Sequence, residues 1–440
     1  MTVRYHIAGS TAKEIAASIE GAILSGALKA GERLPTVREL AARLRLSNAT
    51  AASAYNMLRT RGLAIAAGRR GTLVSHQPAL SSRVHPPLDG RARNLAQGNP
   101  DPALLPPLAE ALKRLQARPR MYGERQNLPE LLKLAARMFR ADGIVSGPIA
   151  VAGGAMDGIE RVLQAALRAG DRVAVEDPGY HMVIDLARAL GLVVMPVMVD
   201  DSGLLPEDTA RALRAGAAAL IVTPRAQNPT GAALDRERAT ELRRLLRAHP
   251  GVLIIEDDHA GPIAGAPALS LVEPGRARWA VLRSVSKWLG PDLRAALVTG
   301  DELTIGRLEG RQRLGTGWVS HVLQELIVEI SSDTATARLV RKAAEVYGAR
   351  RAALVGALAR HSIEARGRSG LNVWVPVPEE IVAVRLLAEA GWAVAGGERF
   401  RIKSPPAIRV SIATLQPEEA LRLASDLAGL FAPQPLAHSA

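Results

Sequence analysis

Apolar residues recur along the chain with two different periods, and the change of period divides it. Near the N-terminus Ile15, Ile19, Ala22 and Ile23 share one face of a helix that ends near Gly26. Thr36 and Glu39 have the T-x-x-E spacing of a capping box, which starts a second helix carrying Val37, Leu40 and Leu44. Ser47 caps a third helix, with Ala51, Tyr55 and Leu58 along it and Gly62 at its end. Residues 63–66 and 72–75 read as strands, with Gly68, Arg69, Arg70 and Gly71 as the turn between them. Over 77–93 the sequence QPALSSRVHPPLDGRAR interrupts any periodicity with prolines, serines and basic residues, as a linker does. From Asn94 to about residue 430, short apolar strands alternate with longer helical patterns.

This order predicts a multidomain protein. Two helices joined by a short turn, with a helix before and a hairpin after, form a winged helix-turn-helix of α+β type over residues 1–76. Residues 94–440 form an α/β domain with a large, mostly parallel sheet and helices on both faces. At 440 residues the chain is too long for one ordinary core, and 48% hydrophobic with 22% charged residues is the balance of a folded globular protein. Its apolar stretches, such as residues 217–222, fall far short of the roughly 20 residues of a membrane span. The opening MTVRYHIAGS does not read as a signal peptide, and with no cysteine there is neither a disulfide framework nor a cysteine-ligated metal, so a cytoplasmic protein is expected. The formal net charge of +13 favours a polyanionic partner, nucleic acid first. Part of that charge is bias, since arginine fills most basic positions and lysine is rare.

One of the few lysines has a distinct setting. Lys287 follows an apolar strand in RSVSKWLGPDLRAALVTG, at the kind of strand-to-loop junction where open α/β sheets place ligands. A cofactor aldehyde held as a Schiff base needs one such shielded amine. Ser284, Ser286 and Arg294 flank it with the donors that a dianionic phosphate takes. In IAVAGGAMDGIERVLQ, Gly153 and Gly154 lie between a strand and a helix, so the amides of Gly154, Ala155 and Met156 suit the same phosphate. Asp257 ends the buried strand of VLIIEDDHAG, where a carboxylate can keep a pyridinium nitrogen protonated. Asn228 sits in the turn of IVTPRAQNPTGAAL, within reach of a ring oxygen. Singly these are a helix cap, a strand-end carboxylate and an ordinary Asn-Pro turn. Their shared strand-end position makes them one candidate pocket.

The stretches ILSGALKAGERLPTVRELAARL, SNATAASAYNMLRTRGL and GRRGTLVS make the first 76 residues resemble the GntR family of winged helix-turn-helix regulators. That resemblance implies contacts to double-stranded operator DNA from Arg38, Ser47, Asn48 and Thr50 and from the wing residues Arg69 and Arg70. Asn48 and Ser53 stand where the family usually has arginine. Residues 94 to about 430 resemble a fold-type I aminotransferase, with a smaller C-terminal α+β part over about 310–435, and the fusion is the arrangement of the MocR subfamily. It implies pyridoxal 5'-phosphate as cofactor. Lys287 would be the Schiff-base lysine, Asp257 the partner of the pyridine nitrogen and Asn228 that of the ring oxygen. Tyr180 in VEDPGYHMV would stack on the ring, and Ser284, Ser286 and Arg294 would hold the phosphate. Tyr122 in MYGERQNLPEL would reach the phosphate of the neighbouring subunit of a homodimer, and Arg409 in AIRVSIATL would bind the carboxylate of a small-molecule effector. The chain departs from the pattern at His259, where tyrosine is usual and where a protonation state that varies near neutral pH is expected. Gln126 and Asn127 stand in place of the usual glycine after Tyr122. The stretches SVSKWLGPDLR, EDDH and GSTAKEIAASI most resemble the vitamin-B6-responsive branch of the subfamily. The implied function is a transcription regulator whose operator binding responds to the cofactor or its amino adduct. The same residues also allow an aminotransferase with an appended DNA-binding domain, or a cofactor-binding protein that has lost DNA binding.

Overall fold

A computed structural model of the chain describes residues 5–29, 31–60, 62–66, 71–75, 92–116 and 118–431. They divide into two compact units, one of Met1–His85, Leu167–Val173 and Met182–Val194 and the other of the remaining residues.

In the first unit the caps set the helices. Thr11 and Glu14 form a reciprocal capping box at the start of α1 (Ala12–Leu24), and Thr36 and Glu39 form another at α2 (Val37–Leu44). The turn after α2 passes through Arg45 in the left-handed region, at φ 56°. Ser47 then accepts from the Thr50 amide at 3.0 Å and caps α3 (Asn48–Thr60). Ile15, Ile19, Leu40, Ala51, Tyr55 and Leu58 from the three helices bury one core. The Tyr55 hydroxyl donates to the Pro35 carbonyl at 2.6 Å and pins α3 beside the entry to α2. Strands β1 (Ala64–Ala66) and β2 (Thr72–Val74) pair antiparallel as the wing. The wing turn with Arg69 and Arg70, and most of the linker over 77–93, lie outside the described residues.

The second unit begins with β3 (Arg93–Asn94) and is organised by a large sheet. Its strands are β4 (Ile149–Ala152), β5 (Arg172–Asp177), β6 (Val193–Asp200), β7 (Gly203–Leu204), β8 (Ala217–Val222), β9 (Leu253–Asp258), β10 (Trp279–Ser284) and β11 (Ala296–Gly300), in the order β4-β11-β10-β9-β8-β5-β6-β7. β8, β9 and β10 run parallel, whereas β11 runs against both β10 and β4, and β7 against β6. The sheet is therefore mixed at the β11 position, where a short return from β10 through residues 285–295 gives a hairpin-like reversal instead of a helical crossover. A smaller sheet of β12 (Asn372–Pro376), β14 (Ala395–Gly396) and β15 (Ala407–Ser411) follows, while β13 (Trp392–Ala393) pairs with β3. Among the described residues no helix is long and apolar enough to cross a membrane.

Candidate functional site

On α3 and its cap the outward side chains are Ser47, Asn48, Ala49, Ser53, Asn56 and Arg59, and Arg38 is exposed early in α2. The Ser47 and Thr50 hydroxyls lie 2.9 Å apart and are occupied in the cap. Arg59 donates to Asn56 near the end of the helix. The first two turns of α3 thus present amides, hydroxyls and methyls and no basic group.

The ends of β9, β10 and β15 build the pocket of the second unit. Lys287, three residues beyond β10, is partly buried, and its Nζ donates to the Gly98 carbonyl at 2.5 Å. Burial, with the Arg409 charge second, lowers its pKa to about 8. On the neighbouring strand Asp257 lies in register with Leu282 and is 5% exposed. Burial first, then the charges of Asp258 and Glu176, raise its pKa to about 7. Its Oδ1 is buried without a hydrogen-bond partner. Beside it, His259 Nε2 lies 2.8 Å from the Ala226 carbonyl, so that nitrogen carries the proton. Burial and the Lys287 charge push the pKa of His259 down to about 4. The imidazole is therefore neutral across the neutral range, which corrects the expectation of a variable protonation state. Its Nδ1 is then an acceptor, where a tyrosine would donate.

Arg409 on β15 is 6% exposed. Its Nη1 donates to Asn228 Oδ1 at 3.0 Å, its Nη2 donates to the Ala96 carbonyl, and its Nε is buried without a partner. Burial, followed by the charge of Arg399, lowers its pKa to about 10. Because Asn228 Oδ1 is taken by Arg409, the Asn228 amide nitrogen is the end left to donate. Phe400 lies 4.8 Å beneath the Arg409 guanidinium, and Asp177 fixes the following loop by accepting from the amides of Ile402, Lys403 and Ser404. Tyr180 has its pKa raised, by burial first and the Asp257 charge second. At the other end, Gly154 adopts φ +111° ahead of the helix Ala155–Ala166, and a Cβ there would lie 2.9 Å from Arg294 Nη2. Arg294 Nη2 also donates to the Gly153 carbonyl at 3.3 Å. Ser284 Oγ accepts from the Ser286 amide at 3.2 Å. Tyr122 stands apart, 91% exposed and edge-on to Trp318 at 5.6 Å.

An unpartnered buried carboxylate, a shielded lysine, and a glycine turn that a side chain would fill are what pyridoxal 5'-phosphate requires for its ring nitrogen, aldehyde and phosphate. The residues present fit the group.

Several residues of the site escape sequence reasoning. Glu176, buried on β5, accepts from Thr223 N and Oγ1 and from Gln227 Nε2, and so fixes the turn that carries Asn228. Asp258 points to the opposite face of β9 from Asp257 and accepts from Arg225 and Arg283, which Asp142 also engages. The carbonyls of Ala96 and Gly98 carry no side-chain signature at all.

Residues 92–427 match the family Aminotransferase class I and II, and residues 11–74 match the gntR family of bacterial regulatory proteins. The chain is 40% identical to the vitamin B6 salvage pathway transcriptional repressor PtsJ of Salmonella typhimurium, over 96% of this chain and 98% of that protein. It is 31% identical to the HTH-type pyridoxine biosynthesis transcriptional regulator PdxR of Corynebacterium glutamicum, over 58% and 57% of the two chains. Among solved structures, LysN, the alpha-aminoadipate aminotransferase of Thermus thermophilus complexed with N-(5'-phosphopyridoxyl)-L-leucine, superposes with a TM-score of 0.69 at 24% identity, over 78% of this chain and 94% of that one. At that identity the match shows the shared fold.

Proposed function

The chain belongs to the class I and II aminotransferase family and, by its gntR-family N-terminal domain, to the MocR-type transcription regulators, and from that premise we propose that it binds operator DNA as a homodimer and releases or grips it according to whether pyridoxal 5'-phosphate is bound. The observation that carries this reading is the coexistence, in one chain, of a helix-turn-helix and a pocket whose lysine, carboxylate and glycine turn suit that cofactor. The full-length likeness to PtsJ points to genes of vitamin B6 salvage as the targets and to repression as the mode. Residues 1–76, the DNA-binding domain of this reading, hold eleven basic and four acidic residues, a net +7 of the chain's +13. The exposed Tyr122 fits a residue that completes the phosphate site of a second copy. The direct test is whether loaded and unloaded protein differ in affinity for one promoter fragment.

Within the pocket, Lys287 would hold the cofactor, Asp257 its ring nitrogen, Asn228 its ring oxygen, and Ser284, Ser286, Arg294 and the Gly154 turn its phosphate. When bound, the cofactor supplies an electron sink for amino compounds. Arg409 binds and orients a carboxylate. Since Lys287, Asp257 and Arg409 are all retained, slow amino-group transfer is a second reading that the same pocket supports.

Two expected outcomes follow from these residues. Only the neutral Lys287 amine attacks an aldehyde, so with ionisation at about 8 in place of 10.5 cofactor attachment should speed up about tenfold per pH unit below that value and level off above it. Stopped-flow absorbance checks this, and a rise continuing beyond pH 10 would mean the amine is not shielded. On the DNA side, asparagine amides pair with adenine and alanine methyls touch thymine, whereas guanine is read by arginine. With Asn48 and Ala49 leading α3, selection from random duplexes should yield half-sites with A·T pairs at their centre, each replaceable by G·C at a cost of about tenfold in affinity. A G·C-centred consensus would assign the reading to other residues.

A further inference from the structure

The segment that follows the linker is tied to both ligand-capturing side chains within six residues. Arg93 N donates to the Gly391 carbonyl and Leu95 N to the Ala393 carbonyl, each at 2.8 Å, which seats β3 beside β13. The Arg93 guanidinium is anchored on Glu419 at 2.9 Å. Asn94 Oδ1 accepts from the amides of Ala96 and Gln97 and turns the chain. Ser411, two residues from Arg409 on β15, donates its amide to the Leu95 carbonyl at 2.8 Å. The Ala96 carbonyl then accepts from Arg409 and the Gly98 carbonyl from Lys287.

We propose that residues 93–98 are a strap that reports the state of the pocket to the DNA-binding end of the chain, by competing with the ligands for Lys287 and Arg409. This rests on the reading of the pocket given above. Condensation of the neutral lysine amine with an aldehyde forms one C=N bond and releases one water. A nitrogen that has three N–H donors as an ammonium keeps at most one afterwards, and the ring oxygen beside the former aldehyde would take that one in place of the Gly98 carbonyl. A carboxylate that takes the unpartnered Nε of Arg409 together with Nη2 makes charge-assisted bonds about twice as strong as those of a neutral carbonyl, and so competes with Ala96 for Nη2. Each ligand thus frees one end of the same short segment, whose other end continues through residues 77–92 into the first unit. Because strap and ligand share donors, the coupling runs both ways: whatever holds the strap down weakens ligand binding by the same factor.

Hydrogen exchange of the full-length chain tests this, read on a peptide covering residues 93–98. It is compared without ligand, with saturating pyridoxal 5'-phosphate whose visible absorbance reports loading, and in Lys287→Met without ligand. Loss of the Lys287 bond should speed exchange there by about fivefold in both the loaded protein and the variant. Loading without any change in the strap peptide overturns the proposal. If the cofactor fails to load, the functional reading fails, and the variant still decides: unchanged exchange in Lys287→Met overturns the strap on its own. In a second arm, Arg93→Ala, which loosens the strap, should take up the cofactor at least as readily as the parent, while the ratio of DNA affinities between loaded and unloaded protein collapses towards one. A ratio equal to the parent's overturns the transmission.

Discussion

Lys287→Ala should leave the chain with no borohydride-stable cofactor, a loss of at least about a hundredfold in labelled pocket peptide, because covalent attachment needs a shielded amine and the nearest other lysines in sequence are Lys342 and Lys403. The geometry makes the effect specific. Lys287 occupies the loop after β10, one strand from Asp257, and its amine is held by a backbone carbonyl, with no carboxylate bonded to it among the described residues. Burial and the Arg409 charge both pull its pKa down, to about 8, so about a tenth of it is neutral at pH 7 and about half at pH 8. Reduction with borohydride followed by peptide mapping measures the label. A label of undiminished intensity on the same pocket peptide would show that the cofactor is held elsewhere.

Asp258→Ala should destabilise the second unit by about 3 kcal/mol, at the lower end of what an uncompensated buried charge costs. Asp258 is 4% exposed and takes bonds at 2.8–2.9 Å from Arg225 and Arg283, which are 5% and 2% exposed. Its removal leaves two buried guanidiniums with Asp142, a third exposed, as their remaining carboxylate, which accepts from Arg225 at 3.2 Å and faces Arg283 as an ion pair at 2.6 Å. Asp142→Ala should therefore cost less than half as much. The pH dependence has a definite sign. Burial alone would raise the Asp258 pKa, but the bonds from Arg225 and Arg283 bring it down to about 2. A carboxylate depressed on folding contributes stability that is fully present above about pH 4 and is lost as pH falls towards 2. Urea unfolding at pH 7 and pH 3 measures both effects, and equal shifts for Asp258→Ala and Asp142→Ala would contradict this account of the network. The consequence reaches the pocket, because the same strand presents Asp257 on its other face.

What the sequence made legible was local. The Thr36–Glu39 capping box, the Ser47 cap and the apolar faces of α1 to α3 are each written within four residues, and the helices form where those signals stand. Lys287, Asp257, Asn228 and the Gly153–Gly154 turn were legible as candidates because each follows a strand whose apolar run announces it. The burial of the pocket was not, and with it the neutral state of His259, since desolvation depends on what the whole fold packs around the imidazole. Nor were the long-range partners. Arg225 and Arg283 reach Asp258 from 33 and 25 residues away, and Arg409 reaches Ala96 from 313. Backbone acceptors such as Ala96 and Gly98 leave no trace in residue type. The reversed direction of β11 was hidden for a related reason: a strand buried on both faces has the same apolar composition whichever way it runs.

If one ligand links the two halves of this chain, a single titration shows it. A single promoter fragment is titrated at one fixed salt concentration with unloaded and with pyridoxal 5'-phosphate-loaded protein, alongside Lys287→Ala treated identically. Fixed salt matters because phosphate contacts make any affinity depend steeply on it. The parent protein should show affinities that differ by about 5- to 150-fold between the two forms, the usual span of a coupling between two sites, and Lys287→Ala should show no difference. Equal affinities and equal footprints for the loaded and unloaded parent would contradict the account, and would transfer the effector role to an amino compound bound at Arg409.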